Sequence, residues 1–120
     1  MALLLEIKNT VGVIIPSGSL DASAVESVRS QVSAWWESHA ELKHIVVDLG
    51  GVSFMDSSGL GAMIGLLKRV AARGGDVKLA RPRPSVKLVL EITRANKIFA
   101  ILATVEEAIA AAGAPPAGPA

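Results

Sequence analysis

Ile45-Val46-Val47-Asp48-Leu49 is an almost continuous apolar, β-branched run, and Val52-Ser53-Phe54-Met55-Asp56-Ser57-Ser58-Gly59-Leu60-Gly61 follows it closely. A run of the first kind reads as a strand covered on both faces, as in a parallel sheet. Leu60, Ile64, Leu67 and Val70 then recur at i, i+4, i+7 and i+10, so the second stretch opens a helix. That helix is expected to stop at Arg73-Gly74-Gly75, a basic last turn followed by glycine.

Working outward, the flanks continue the alternation. Leu3 to Ile7 and Val11 to Ile15 read as an opening hairpin, with Pro16-Ser17-Gly18 ending its second strand. Val25, Val28, Val32 and Trp35 mark one face of a first helix, capped by Asp21 or Ser23, the latter at capping-box spacing from Glu26. Downstream, Asp76 to Ala80 reads as a strand, and Pro84 suits a helix first turn continued by Val86, Val89, Leu90 and Thr93. Ile98 to Leu102 is the last expected strand, and Thr104 with Glu107 opens an alanine-rich helix to about Ala112. The order β-β-α-β-α-β-α-β-α implies an α/β fold: a mixed, mostly parallel sheet with right-handed crossovers and an antiparallel edge strand. The domain is expected to span residues 1–112, and the Ala/Pro/Gly tail over 113–120 to be mobile. There is no internal repeat.

Composition removes several function classes. A chain of 120 residues that is 51% hydrophobic and 19% charged can bury a core without staples. With no cysteine, thiol catalysis and thiolate metal sites are excluded, and two histidines cannot fill a structural zinc site, so no metal or cofactor is expected. A net charge of +1 and 3% aromatics argue against a direct nucleic-acid binder. The apolar start Met1 to Leu5 is broken by Glu6 and Lys8, and no run spans a bilayer, so a cytoplasmic setting without membrane contact is expected. The near-neutral total hides an asymmetry: three Lys/Arg against seven Asp/Glu in residues 1–56, but nine against two in residues 57–97. Solvated helix faces would explain the basic stretch; contacts with an acidic partner are the alternative.

Function in parallel α/β sheets collects at the carboxyl ends of strands, which is where Asp56-Ser57-Ser58-Gly59 falls. Those four residues alone read most simply as a helix cap. A hydroxyl there could also carry a phosphate, stabilised by the positive end of the helix dipole. No Gly-Lys-Ser/Thr follows, so this is not a P-loop. His39 and His44 are expected at the opposite end of the sheet, out of reach of Ser57, which argues against serine nucleophile chemistry and against an enzyme.

Phe54-Met55-Asp56-Ser57-Ser58-Gly59-Leu60-Gly61 resembles the signature of STAS domains of the anti-sigma factor antagonist family, and Gly18-Ser19-Leu20-Asp21 resembles that family's Gly-x-Leu-Asp element. The resemblance covers about residues 3 to 112 and implies a STAS-type fold with the element order read above. It implies a protein that, unphosphorylated, binds an anti-sigma factor serine kinase and so releases the sigma factor. Phosphorylation of Ser57 would end that contact and a PP2C-type phosphatase would reset it. Asp21, Asp56, Ser58, Gly59 and Leu60 match positions at or beside the partner surface. Ser19 replaces a commonly acidic residue, and Thr93-Arg94-Ala95-Asn96-Lys97 departs from the usual Thr-Gly-Leu. A second role on the same fold is a scaffold of a stress-signalling complex or a lipid-transport accessory subunit, with Ser57 a mere cap residue. An apolar edge strand leaves room for a weak homodimer.

Overall fold

The computed structural model describes residues 1–114. β1 (Ala2–Lys8) and β2 (Val11–Leu20) pair antiparallel through a two-residue turn, where Asn9 and Thr10 take φ of 51° and 65°. Positive φ at both central positions gives a turn whose twist matches the strands. Then come α1 (Ala22–Ser38), β3 (Ile45–Asp48), β4 (Gly51–Met55), α2 (Ser57–Ala72), β5 (Val77–Ala80) and α3 (Pro84–Ile92). A 3₁₀ turn (Ala95–Lys97), β6 (Ala100–Leu102) and α4 (Val105–Ala110) complete the order. The sheet runs β1-β2-β3-β5-β6, with β4 paired to β2, and every pairing except β1–β2 is parallel. This is the mixed, mostly parallel sheet with one antiparallel edge that the sequence implied.

β3 is buried on both faces, as its composition required. Ile45 and Val47 join the main core with residues of α1 and α2, whereas Val46 packs into a smaller cluster with Ala80 and Ala108 of α4. β1 is an outer strand, and its Leu4 and Ile7 side chains are exposed.

Three expectations need correction. The strand order gains β4, within the stretch expected only to open the second helix. β2 does not end at Pro16-Ser17-Gly18 but continues to Leu20, first alongside β3 through Ile14 and then alongside β4 from Ser17. Pro16 falls between those two registers, where its missing N–H interrupts neither. Gly18 takes φ +97° and the register shifts after it, so the triplet marks a bulge within the strand. Finally, Trp36 rather than Trp35 is the deeply buried tryptophan of α1, with the Arg73 guanidinium stacked 3.8 Å from its ring centre.

The helix expected to about Ala112 ends at Ala110. Beyond it, the Gly113 N–H donates to Asp76 Oδ1 (3.0 Å) and the Ala114 carbonyl accepts from Lys78 Nζ. The rest of the expected tail, residues 115–120, lies outside the described residues. No helix among the described residues is long and apolar enough to cross a membrane.

Candidate functional site: two helix caps at one sheet edge

β2 and β4 run parallel and in register to Leu20↔Met55, and each leads directly into a helix. The next residue on each strand is an aspartate. Asp21 caps α1: its Oδ1 accepts from the backbone N–H groups of Ser23 (3.1 Å) and Ala24 (3.2 Å) and from the Ser23 hydroxyl (2.6 Å). Asp56 caps α2 in the same way, its Oδ1 accepting from the N–H groups of Ser58 (2.9 Å) and Gly59 (3.1 Å). The second Asp56 oxygen reaches across and accepts from the Ala22 N–H at 3.3 Å. One carboxylate therefore joins the N-termini of both helices.

The approach of α2 to β2 at this edge depends on Gly59. A Cβ there would lie 2.3 Å from the Leu20 carbonyl oxygen, which is backbone and cannot swing aside. That close packing brings the positive ends of two helices to one small surface. Asp21 is held below the usual carboxylate range, chiefly by the Ser23 hydroxyl, with smaller help from the Ser23 and Ala24 N–H groups outweighing its burial.

The structure brings the six sequence-derived site residues together and sorts them by exposure. Ser57 is exposed; Asp21, Asp56 and Ser58 are half-buried. Gly59 is buried and Leu60 belongs to the core at 8% exposure, so these two shape the edge from beneath. Of the two capping candidates for α1, Asp21 accepts the bonds and Ser23 supports it. The cap of α2 is Asp56, so the demand for a cap explains Asp56 but not Ser57. Neither histidine joins the site: His44 Nδ1 lies 2.6 Å from Asp76 Oδ1, and His39 Nδ1 contacts the Trp35 carbonyl at 2.8 Å. No group of three metal-ligating side chains occurs among the described residues. One neighbour of the site was given no role of its own from the sequence. Phe54, two residues before Asp56, is half-exposed, an aromatic at an outward strand position where a polar residue would be expected.

Comparison with known proteins places relatives of one family beside this chain. A family model described as the STAS domain matches residues 2–108. The chain is 34% identical over 103 residues to the anti-sigma F factor antagonist of Paenibacillus polymyxa, a match covering 84% of this chain and 87% of that protein. It superposes on the anti-sigma factor antagonist SpoIIAA in its unphosphorylated form with a TM-score of 0.69, at 32% identity, covering 91% of this chain and 96% of that one. The Bacillus cell fate determinant SpoIIAA in the phosphorylated form gives a TM-score of 0.70, also at 32% identity, with coverage of 91% and 97%.

Proposed function

The chain belongs to the STAS domain family, and from that premise we propose that it is an anti-sigma factor antagonist switched by phosphorylation of Ser57. The unphosphorylated edge binds an anti-sigma factor that is also a serine kinase, which frees the sigma factor in the cytoplasm. The kinase transfers a phosphoryl group from ATP to Ser57 and the contact is lost; a PP2C-type phosphatase restores it. The chain itself serves as a binding module and phosphoacceptor rather than as a catalyst.

The observation that carries this reading is the exposed Ser57 beside a carboxylate that has already taken the neighbouring cap bonds. Ser58 and Gly59 donate to the Asp56 side chain, and the Leu60 N–H donates to the Asp56 carbonyl (3.1 Å). A phosphate on Ser57 would feel the helix dipole but find those donors occupied, and it would face the Asp56 charge. Its ~1.5 to 2 negative charges would therefore project toward the partner rather than be absorbed by the domain. Such a change repels an acidic or apolar partner surface while leaving the core untouched. The similar TM-scores against the two forms of SpoIIAA support a phosphate that leaves the fold in place.

The test is incubation with ATP and the cognate anti-sigma kinase, followed by mass mapping and binding measurements on variants. We expect phosphate on Ser57, full kinase binding by Ser57→Ala, and binding weakened roughly 5- to 150-fold in Ser57→Asp, the span of ordinary coupling energies. Phosphate on another residue overturns the site, and equal binding by the two variants overturns the switch.

A further inference from the structure

A second feature lies on the face of the sheet covered by α1 and α2. Between these helices and the strands is a cavity of about 390 Å³. Ile14 and Val47 line it from the sheet, Val28 and Val32 from α1, and Met63 and Leu66 from α2. Its polar lining is confined to Arg29, Ser33 and Arg69, and the two arginine side chains are 54% and 40% exposed, so they stand at the mouth. The size falls within the range of small-molecule pockets, roughly 300–1,000 Å³.

Gly65 also lines this cavity, at a position where helix propensity disfavours glycine. No close approach accounts for it: a Cβ on Gly65 would meet nothing within 4 Å. This contrasts with Gly59 on the same helix, where the backbone of β2 leaves no room. Gly65 is itself exposed, so its missing side chain leaves the mouth of the cavity clear.

We propose that this cavity takes the alkyl chain of a free fatty acid, with the carboxylate held at the mouth by Arg29 and Arg69. The apolar interior offers no partner to a polar group, so a ligand with hydrogen-bonding atoms along its length would lose them unpaired on entry. A chain with a single terminal anion meets both constraints, since guanidinium groups match a carboxylate in charge and planar geometry. The arginines' present partners do not block this. Glu26 is 3.7 Å from Arg29 and 85% exposed, and Glu37 is 2.9 Å from Arg69 and 69% exposed, so both carboxylates can turn into water; Arg69 also donates to the Ser33 hydroxyl, a neutral partner on the same rim that leaves its charge uncompensated. The proposal is independent of the switch at Ser57, and either can fail without the other.

Titration calorimetry of the purified chain with tetradecanoate, dodecanoate and decanoate, below their micellar concentrations, tests it. Saturable binding of one molecule per chain is expected, with affinity falling roughly 10- to 15-fold for each two methylenes removed. Gly65→Leu narrows the mouth and should weaken binding at least tenfold; Gly65→Ala, which adds one methyl group into open space, should weaken it less while keeping the melting curve. Arg29→Gln with Arg69→Gln should lower carboxylate affinity about fivefold or more and leave 1-dodecanol binding unchanged. Absence of saturable binding by the wild type overturns the proposal. So does binding indifferent to both Gly65 variants in protein that melts normally, or a carboxylate affinity indifferent to the arginines. Binding only to fatty-acid-containing vesicles, with none of the free acid, also overturns it.

Discussion

Two carboxylate clusters sit at opposite ends of the parallel strands, and they are built on opposite principles. At the amino ends, Asp76 contacts His44 and the nearly inaccessible Lys78, and it accepts the Gly113 N–H (3.0 Å). At the carboxyl ends, Asp21 and Asp56 are satisfied by backbone N–H groups and a serine hydroxyl, and among the described residues neither forms a salt bridge. The first cluster cancels its charge internally and ties the chain after α4 to β5. The second leaves two negative charges on an exposed edge, balanced only by helix dipoles. A phosphate at this open edge adds to charge that no cation among the described residues pairs with.

Removing a charge should therefore cost far more at the first end. Asp76→Asn leaves the Lys78 ammonium, 2% exposed, without its anion, and breaking a buried pair from one side costs about 3 kcal/mol or more. The loss should be read in urea unfolding, and adding Lys78→Met should recover a large part of it. A loss under 1 kcal/mol would mean that the pair is not closed as described. At the other end, Asp56→Ala should cost about 1–2 kcal/mol through its caps, and Asp56→Asn only a fraction of that, because asparagine caps equally well. An Asp56→Asn variant as damaged as Asp56→Ala would show that the charge, not the cap, holds the two helices.

The contrast between the ends was partly legible in the sequence. Three of the four α-helix starts were marked by an aspartate or threonine and the fourth by Pro84; capping is local chemistry, so Asp21, Asp56 and Thr104 could be read without knowing the fold. β4 could not. Only Val52 and Met55 of its five residues are buried, so it shows no two-residue alternation, and Gly50-Gly51 at its start reads as a turn. The bulge at Gly18 was hidden for the same reason: a Pro-Ser-Gly triplet ends most strands, and only the switch of neighbour from β3 to β4 lets this one continue. The basic stretch shows the limit of composition. Arg73, Lys78 and Arg81 are spent on the carbonyls at the end of α1, on Asp76 and on Asp48. Much of what read as a charged surface is internal tie, a fact about long-range pairing that spacing along the chain does not carry. The six candidate residues fall together in space because five of them lie within five consecutive positions and Asp21 directly follows the neighbouring strand. The cavity was invisible, since its walls come from four separate elements.

The smallest expected effect concerns acid. For Asp76, burial alone would push the carboxyl up, but the hydrogen bonds from Lys78, Gly113 and His44 and the Lys78 charge outweigh it, and the group sits below the usual carboxylate range. An unfolded aspartate takes up its proton near pH 3.9; the folded one holds it off to lower pH. In that window the unfolded state binds more protons, so stability rises with pH. The contribution is complete above about pH 5 and is lost as pH falls through the folded value. Asp21 is shifted in the same direction, but at an exposed edge where salt screens it. Urea unfolding between pH 5 and pH 2.5 should therefore show a shallower acid limb in Asp76→Asn than in wild type, and a smaller change in Ser23→Ala, which removes the main cause of the Asp21 shift. An acid limb altered more by Ser23→Ala than by Asp76→Asn would invert the comparison, making the exposed edge the end where folding stores its charge energy.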